Sequence, residues 1–169
     1  FLIYRSKSGS CSKLLWRHLY IIFKYRNSQY KNLVEWADKI DAANYQSVEE
    51  AIFGSAPALQ IHRSLGLPNG ADLSKRLIKL LRNSTLNEVA HLPEVKERSR
   101  RVLALTQMGL DRMKQSIRLE KSGIAVFDVD AAGVNINRYS PYYFFPHAKY
   151  SVGVVRMGDS AKITAMRNP

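Results

Sequence analysis

The stretch PEVKERSRRVLALTQMGLDRMKQSIRLEK, residues 93–121, decides how this chain is built. Its apolar side chains Val95, Val102, Leu103, Leu110, Met113 and Ile117 recur at helical spacing, and Ser99 and Thr106 fall in the same stripe. The pattern predicts a helix with one buried face. Pro93 suits a first turn, Glu94 and Glu97 sit where a helix N-terminus favours negative charge, and Lys114, Arg118 and Lys121 crowd the other end. Gly123 stands where a C-terminal cap belongs. Such a helix would reach roughly 40 Å, enough to connect two architectures. The segments before it read as helices and those after it as strands, so it is expected to separate a helical lobe from a small sheet. One long helix lying along a single domain is the alternative.

Upstream, FLIY at 1–4 reads as a strand, and RSKSGSCS turns into a helix over about 11–25, capped by Ser10 or Ser12. Leu14, Leu15, Trp16, Leu19, Ile22 and Phe23 predict that this helix is largely buried. A second helix over about 29–43 carries Asp38 and Asp41, three residues apart and therefore on neighbouring parts of one turn. That spacing suits either a divalent cation or two solvated carboxylates. Short helices follow at 47–53, from Pro57, at 71–82 and after Ser84. No glycine-rich phosphate loop, nucleophile elbow or paired zinc-type histidine occurs among them; His18, His62, His91 and His147 are isolated.

Downstream of Gly123 the period shortens. IAVFDV at 124–129 reads as a strand, 130–139 as a polar turn, and SPYYFFPHA as an aromatic segment for core packing or base stacking. YSVGVVRM, Gly158-Asp159 and SAKITAM read as a hairpin with a two-residue turn. Arg167 ends its second strand on the side of Ile163 and Ala165, which is expected to face inward.

The bulk numbers bound the function. With 46% hydrophobic residues in 169, the chain can bury a core, and a net charge of +12 attracts polyanions. The basic residues are dispersed rather than blocked, so a solvated basic surface and a binding patch both fit. One cysteine, Cys11, excludes an internal disulfide and suits the cytoplasm. The apolar window at 14–23 is too short to span a bilayer and contains Arg17. The chain lacks an initiator Met, and a fragment of a longer protein is expected.

Several of these stretches, in order, resemble the DHH phosphoesterase superfamily: SGSCSKLLW, LVEWADKIDAANY, PALQIHRSL, the long helix, and AKYSVGVVRMGDSAKITAMRNP. The resemblance implies a helix-rich α/β fold. Residues 1–92 would be the C-terminal, mostly helical part of the catalytic domain, 93–122 the linker helix, and 123–169 the start of a small mixed-sheet domain that grips substrate. It implies a phosphoesterase acting on short oligonucleotides, cyclic dinucleotides or related polyanions with two Mn2+ ions. Asp41 aligns with the family's last metal-binding aspartate, with Asp38 as competitor; Ala42 stands where a Thr is usual. Arg167 aligns with a phosphate-binding arginine, and Thr164 lies one residue out of register with the usual serine. Neither Asp-His-His nor Gly-Gly-Gly-His occurs, so this chain is not expected to assemble the metal centre alone. The competing readings are a non-catalytic basic nucleic-acid-binding module and a soluble scaffold domain. Asp41 is expected to face a cleft, with Asp38 the more exposed of the two.

Overall fold

Ser10 starts the first helix. Its backbone is extended and its hydroxyl accepts the Lys13 N–H, which satisfies one of the unpaired donors of α1, Cys11–Ile22. The computed structural model describes residues 9–168, apart from the side chain of Gln29; the strand expected at 1–4 lies outside them. A single 3-10 turn, Ser28–Tyr30, leads into α2, Lys31–Asp41. These elements belong to the smaller of two compact units, residues 1–45.

The reading of α1 as largely buried is corrected. None of its residues is buried; Leu15, Ile21, Ile22 and Phe23 are all more than half exposed. The reason is geometric: within its unit α1 packs on α2, and a single helical neighbour covers one side only.

The larger unit, residues 46–169, holds the remaining elements. Its helices begin with α3, Val48–Phe53, capped by Ser47; α4, Pro57–Ser64; and α5, Gly70–Leu80. They continue with α6, Leu86–Ala90, and α7, Pro93–Lys114. Thr85, not Ser84, caps α6, its hydroxyl accepting the Glu88 N–H while the Glu88 carboxylate accepts the Thr85 N–H. Then come β1, Arg118–Leu119; β2, Ile124–Asp130; α8, Ser140–Phe144; β3, Tyr150–Met157; and β4, Ser160–Arg167. The chain thus folds as helix-rich α/β, with a four-stranded mixed sheet in the order β1-β2-β3-β4.

The stripe read from residues 93–113 is the buried face of α7: Val95, Ser99, Val102, Thr106, Leu110 and Met113 are all buried. Its first half packs on α4 and α6, its second on β2 and α8. The helix ends at Lys114, shorter than the 93–121 expected, because Ile117 turns inward to pack against both small cores under the sheet. Gly123 therefore caps no helix; it has φ +79° in the tight turn from β1 to β2.

β2 and β3 run parallel, so the chain must cross over between them, and residues 131–149 do this. The aromatic segment lies in that crossover. Tyr139 and Tyr142 are buried, and the Tyr142 hydroxyl donates to the Met166 carbonyl at 2.6 Å, so these rings pack the core rather than stack bases.

α7 also fixes the first part of the crossover. The Asn135 N–H donates to the Leu105 carbonyl at 3.1 Å, its carboxamide donates to Thr106 Oγ1 at 2.8 Å, and Thr106 donates to the Val102 carbonyl. Arg112 donates to the carbonyls of Asp130 and Ala132 at 2.9 and 2.8 Å. This approach needs Gly109, where a Cβ would stand 2.2 Å from the Asn135 carbonyl oxygen. In an open helix position Gly→Ala stabilises by about 1 kcal/mol. Here Gly109→Ala is expected to destabilise by about 1–3 kcal/mol in urea unfolding, the usual cost of overpacking. An increase in stability would show that the 131–137 segment does not close on α7.

Candidate functional site

The two aspartates sit on α2 with their expected exposures reversed. Asp38 is held: Ser10 Oγ donates to Oδ1 at 3.0 Å, and Lys13 Nζ lies 2.6 Å from Oδ2, leaving the side chain 16% exposed. Gly9 permits this closure, since a Cβ there would meet Ala42 Cβ at 2.9 Å and Asp38 Oδ1 at 3.0 Å. The Lys13 hydrogen bond, followed by that of Ser10, pulls the Asp38 carboxyl below the ordinary aspartate range against the cost of burial. Asp41, by contrast, is exposed at the last turn of α2, so the expectation that Asp38 would be the more exposed is overturned. The cause is local. Asp38 faces the N-terminal turn of α1, where a donor pair awaits it.

Lys13 already stands where a cation would bind Asp38. Among the described residues no three His, Cys, Asp or Glu side chains come together as a metal site. The residues described here therefore do not by themselves fit a manganese pair.

Thr164 and Arg167 lie on opposite faces of β4. The covered face of the sheet carries Ala125, Phe127, Val129, Ser151, Gly153 and, on β4, Thr164 and Met166. Ile163, Ala165 and Arg167 share the other face, where Ile163 is 78% exposed. The expectation that Arg167 faces inward is thus corrected: its strand-mates are as predicted, but α7 and α8 pack on the side of Met166 and Ala125.

Each residue lines its own cleft. Arg167 borders an open one of about 340 Å³ with His147, Lys149, Tyr150 and Asn168. Asn168 ties this margin together, donating to the carbonyls of Pro146 and Ala148, both at 2.8 Å. The Arg167 side chain makes no hydrogen bond or ion pair among the described residues, its backbone being paired with Tyr150. Arg156, farther along the same sheet face, is committed to the carboxylate of Asp128 at 2.8 and 2.6 Å. Thr164 borders a second cleft of about 300 Å³, floored by Phe127 and Val155 and rimmed by Asn135, Asn137, Arg138 and Lys162. Among the described residues no carboxylate lines either cleft.

The polar turn region at 130–139 contributes Asn135, Asn137 and Arg138 to the second cleft, and His147 and Lys149 join Arg167, neither of which the sequence reading assigns. The signal was available in the parallel pairing of β2 and β3, which returns the crossover to the end of β4; periodicity within one segment does not reveal it.

One solved structure that shares this fold, a mixed sheet beneath α7 and α8, is the pGpG-specific phosphodiesterase PggH from Vibrio cholerae, with a TM-score of 0.71 at 19% sequence identity. The likeness covers 88% of this chain and 53% of that one, so the chain spans about half the length of that protein. No family model matches the chain. No curated protein matches it in sequence. No helix among the described residues is long and apolar enough to cross a membrane.

The Asp38 cluster yields a pH prediction. A carboxyl whose folded pKa is depressed contributes stability above its ordinary value, near 3.8, and loses it as pH falls through the lower folded value. Acid unfolding monitored by the Trp16 and Trp36 fluorescence of the first unit should therefore steepen below about pH 4. Asp38→Asn should lower stability at neutral pH and flatten that acid limb. An identical acid limb in the variant would mean that Asp38 carries none of it.

Proposed function

We propose that this chain is part of a metal-dependent phosphodiesterase of the DHH type that cleaves short 5′-phosphorylated oligonucleotides, including linear dinucleotides derived from cyclic ones. The observation that carries the reading is the fold shared over 88% of the chain with a pGpG-specific phosphodiesterase. The net charge of +12 and a cleft around Arg167 that no carboxylate lines among the described residues support an anionic substrate. In this reading residues 1–92 belong to the catalytic domain, 93–122 to a linker and 123–169 to a substrate-gripping domain. The single exposed thiol, Cys11, suits a cytoplasmic location.

Hydrolysis adds water to phosphorus and breaks the bond to the leaving oxygen, with negative charge rising on the non-bridging oxygens. Arg167, its side chain free of partners among the described residues and flanked by Lys149 and His147, can take a phosphate on two parallel N–H bonds and hold it in line. Manganese enters only as ions needing more donors than residues 9–168 bring together; Asp41, exposed, is the freer of the two aspartates to lend one.

The test is manganese-dependent hydrolysis of pGpG by the complete protein, with products separated by chromatography. Arg167→Ala should lower kcat/KM roughly ten- to a hundredfold, the loss of a charged hydrogen bond, while manganese affinity stays unchanged. Asp41→Ala should abolish turnover with the fold intact. Tight oligonucleotide binding without turnover in the unsubstituted protein would return the chain to a non-catalytic basic module.

A further inference from the structure

The cleft above Phe127 plays no part in this reading, yet it is built at a cost. Two interior glycines make it. Gly153, in the middle of β3, lets the Phe127 ring lie flat on the strand; a Cβ there would meet three ring atoms at 2.5–2.6 Å. Gly109, in the middle of α7, lets the 131–137 lip close to the helix. Glycine weakens both kinds of element, so both positions sacrifice local stability for this shape.

The lining then divides by chemistry. The floor is apolar, with Phe127, Val155 and Met157, and the rim carries Arg138 and Lys162 with no carboxylate among the described lining residues. Arg138 is braced against Tyr139, donating to its hydroxyl at 2.6 Å with the guanidinium 4.8 Å from the ring centre. Asn135 gives its backbone N–H and one side-chain N–H to α7, which turns its side-chain oxygen away as an acceptor. Asn137 is the converse: its oxygen accepts the Tyr139 N–H, and its NH₂ is left to donate. A volume near 300 Å³ is at the small end of ligand pockets.

An anionic group, a flat apolar body and both amide polarities in so small a space describe one mononucleotide. We propose that this cleft binds a nucleoside 5′-monophosphate, its phosphate on Arg138 and Lys162 with the Thr164 hydroxyl, and its base over Phe127 between the carboxamides of Asn135 and Asn137. The site is separate from that of Arg167 and needs no hydrolysis.

The experiment is calorimetric titration of the chain with GMP and AMP, alongside guanosine and inorganic phosphate, without metal. Either nucleotide should bind, and both guanosine and phosphate should bind at least tenfold more weakly. The double change Arg138→Gln with Lys162→Gln should weaken nucleotide binding roughly tenfold or more, as loss of charged hydrogen bonds does. Lys96→Gln with Lys114→Gln, which removes two charges from exposed positions of α7, should leave it unaltered. Thermal melts establish that each variant is folded, and Lys162→Glu, a change at an exposed strand position, repeats the test without touching the Arg138–Tyr139 contact. Equal affinity for guanosine and GMP, unchanged affinity in the cleft variants, or no nucleotide binding at all would overturn the assignment. Nucleotide binding by this chain, together with no manganese-dependent hydrolysis of pGpG by the complete protein, would instead remove the phosphodiesterase reading and leave this one standing.

Discussion

The larger unit depends on one helix being wanted by two different partners. α7 offers a single stripe from Val95 to Met113, which must satisfy the short helices α4 and α6 at one end and the sheet at the other. Burial of its apolar members at about 25 cal/mol per Å² gives the attraction, but the small and polar members give the fit. Ser99 receives Arg63 Nε at 3.3 Å, Thr106 receives Asn135, and Gly109 leaves room for a backbone. Larger residues at these three places would hold neighbouring segments away from the helix axis. The turn after α4 is bound to the same helix by Arg98, which donates to the carbonyls of Ser64, Leu67 and Pro68. Helical packing and crossover position are thus set from one element.

Much of this was legible in the residues themselves. The α7 stripe, including the burial of Ser99 and Thr106, follows from period alone, as do the hairpin and the capped start at Ser47. What was not legible depended on partners. The exposure of α1 follows from its having one helical neighbour within its unit, which no count of leucines reveals. The facing of β4 follows from which side α7 and α8 take; alternation established that Ile163, Ala165 and Arg167 travel together but not where they point. Asp38 and Asp41 were exchanged for a similar reason. Their spacing was readable, whereas the Ser10 and Lys13 donors that claim Asp38 are 28 and 25 residues away.

The basic character of the chain also divides once partners are known. Arg98 and Arg112 are spent on backbone carbonyls and Arg156 on Asp128, so they hold structure together rather than offering a surface to solvent. Lys162, Lys149 and Arg167 are instead placed along the margins of the sheet. The net charge of +12 thus includes cations committed to the fold and others placed beside the two clefts.

The crossover between β2 and β3 has a kinetic consequence. The β3–β4 hairpin closes around Gly158 and Asp159, and α7 is internally hydrogen-bonded, so both depend on contacts near in sequence. The parallel pairing of β2 with β3 must wait for residues 131–149 to fold back, and such non-local closures are the slow steps of folding. Phe127 precedes the crossover while Ser151, Val155 and Thr164 follow it, so the cleft they line has no existence until the loop is shut. Any molecule seated there would act as a latch on the last-formed part of the sheet, lowering its rate of opening in proportion to occupancy rather than to any contact with α7.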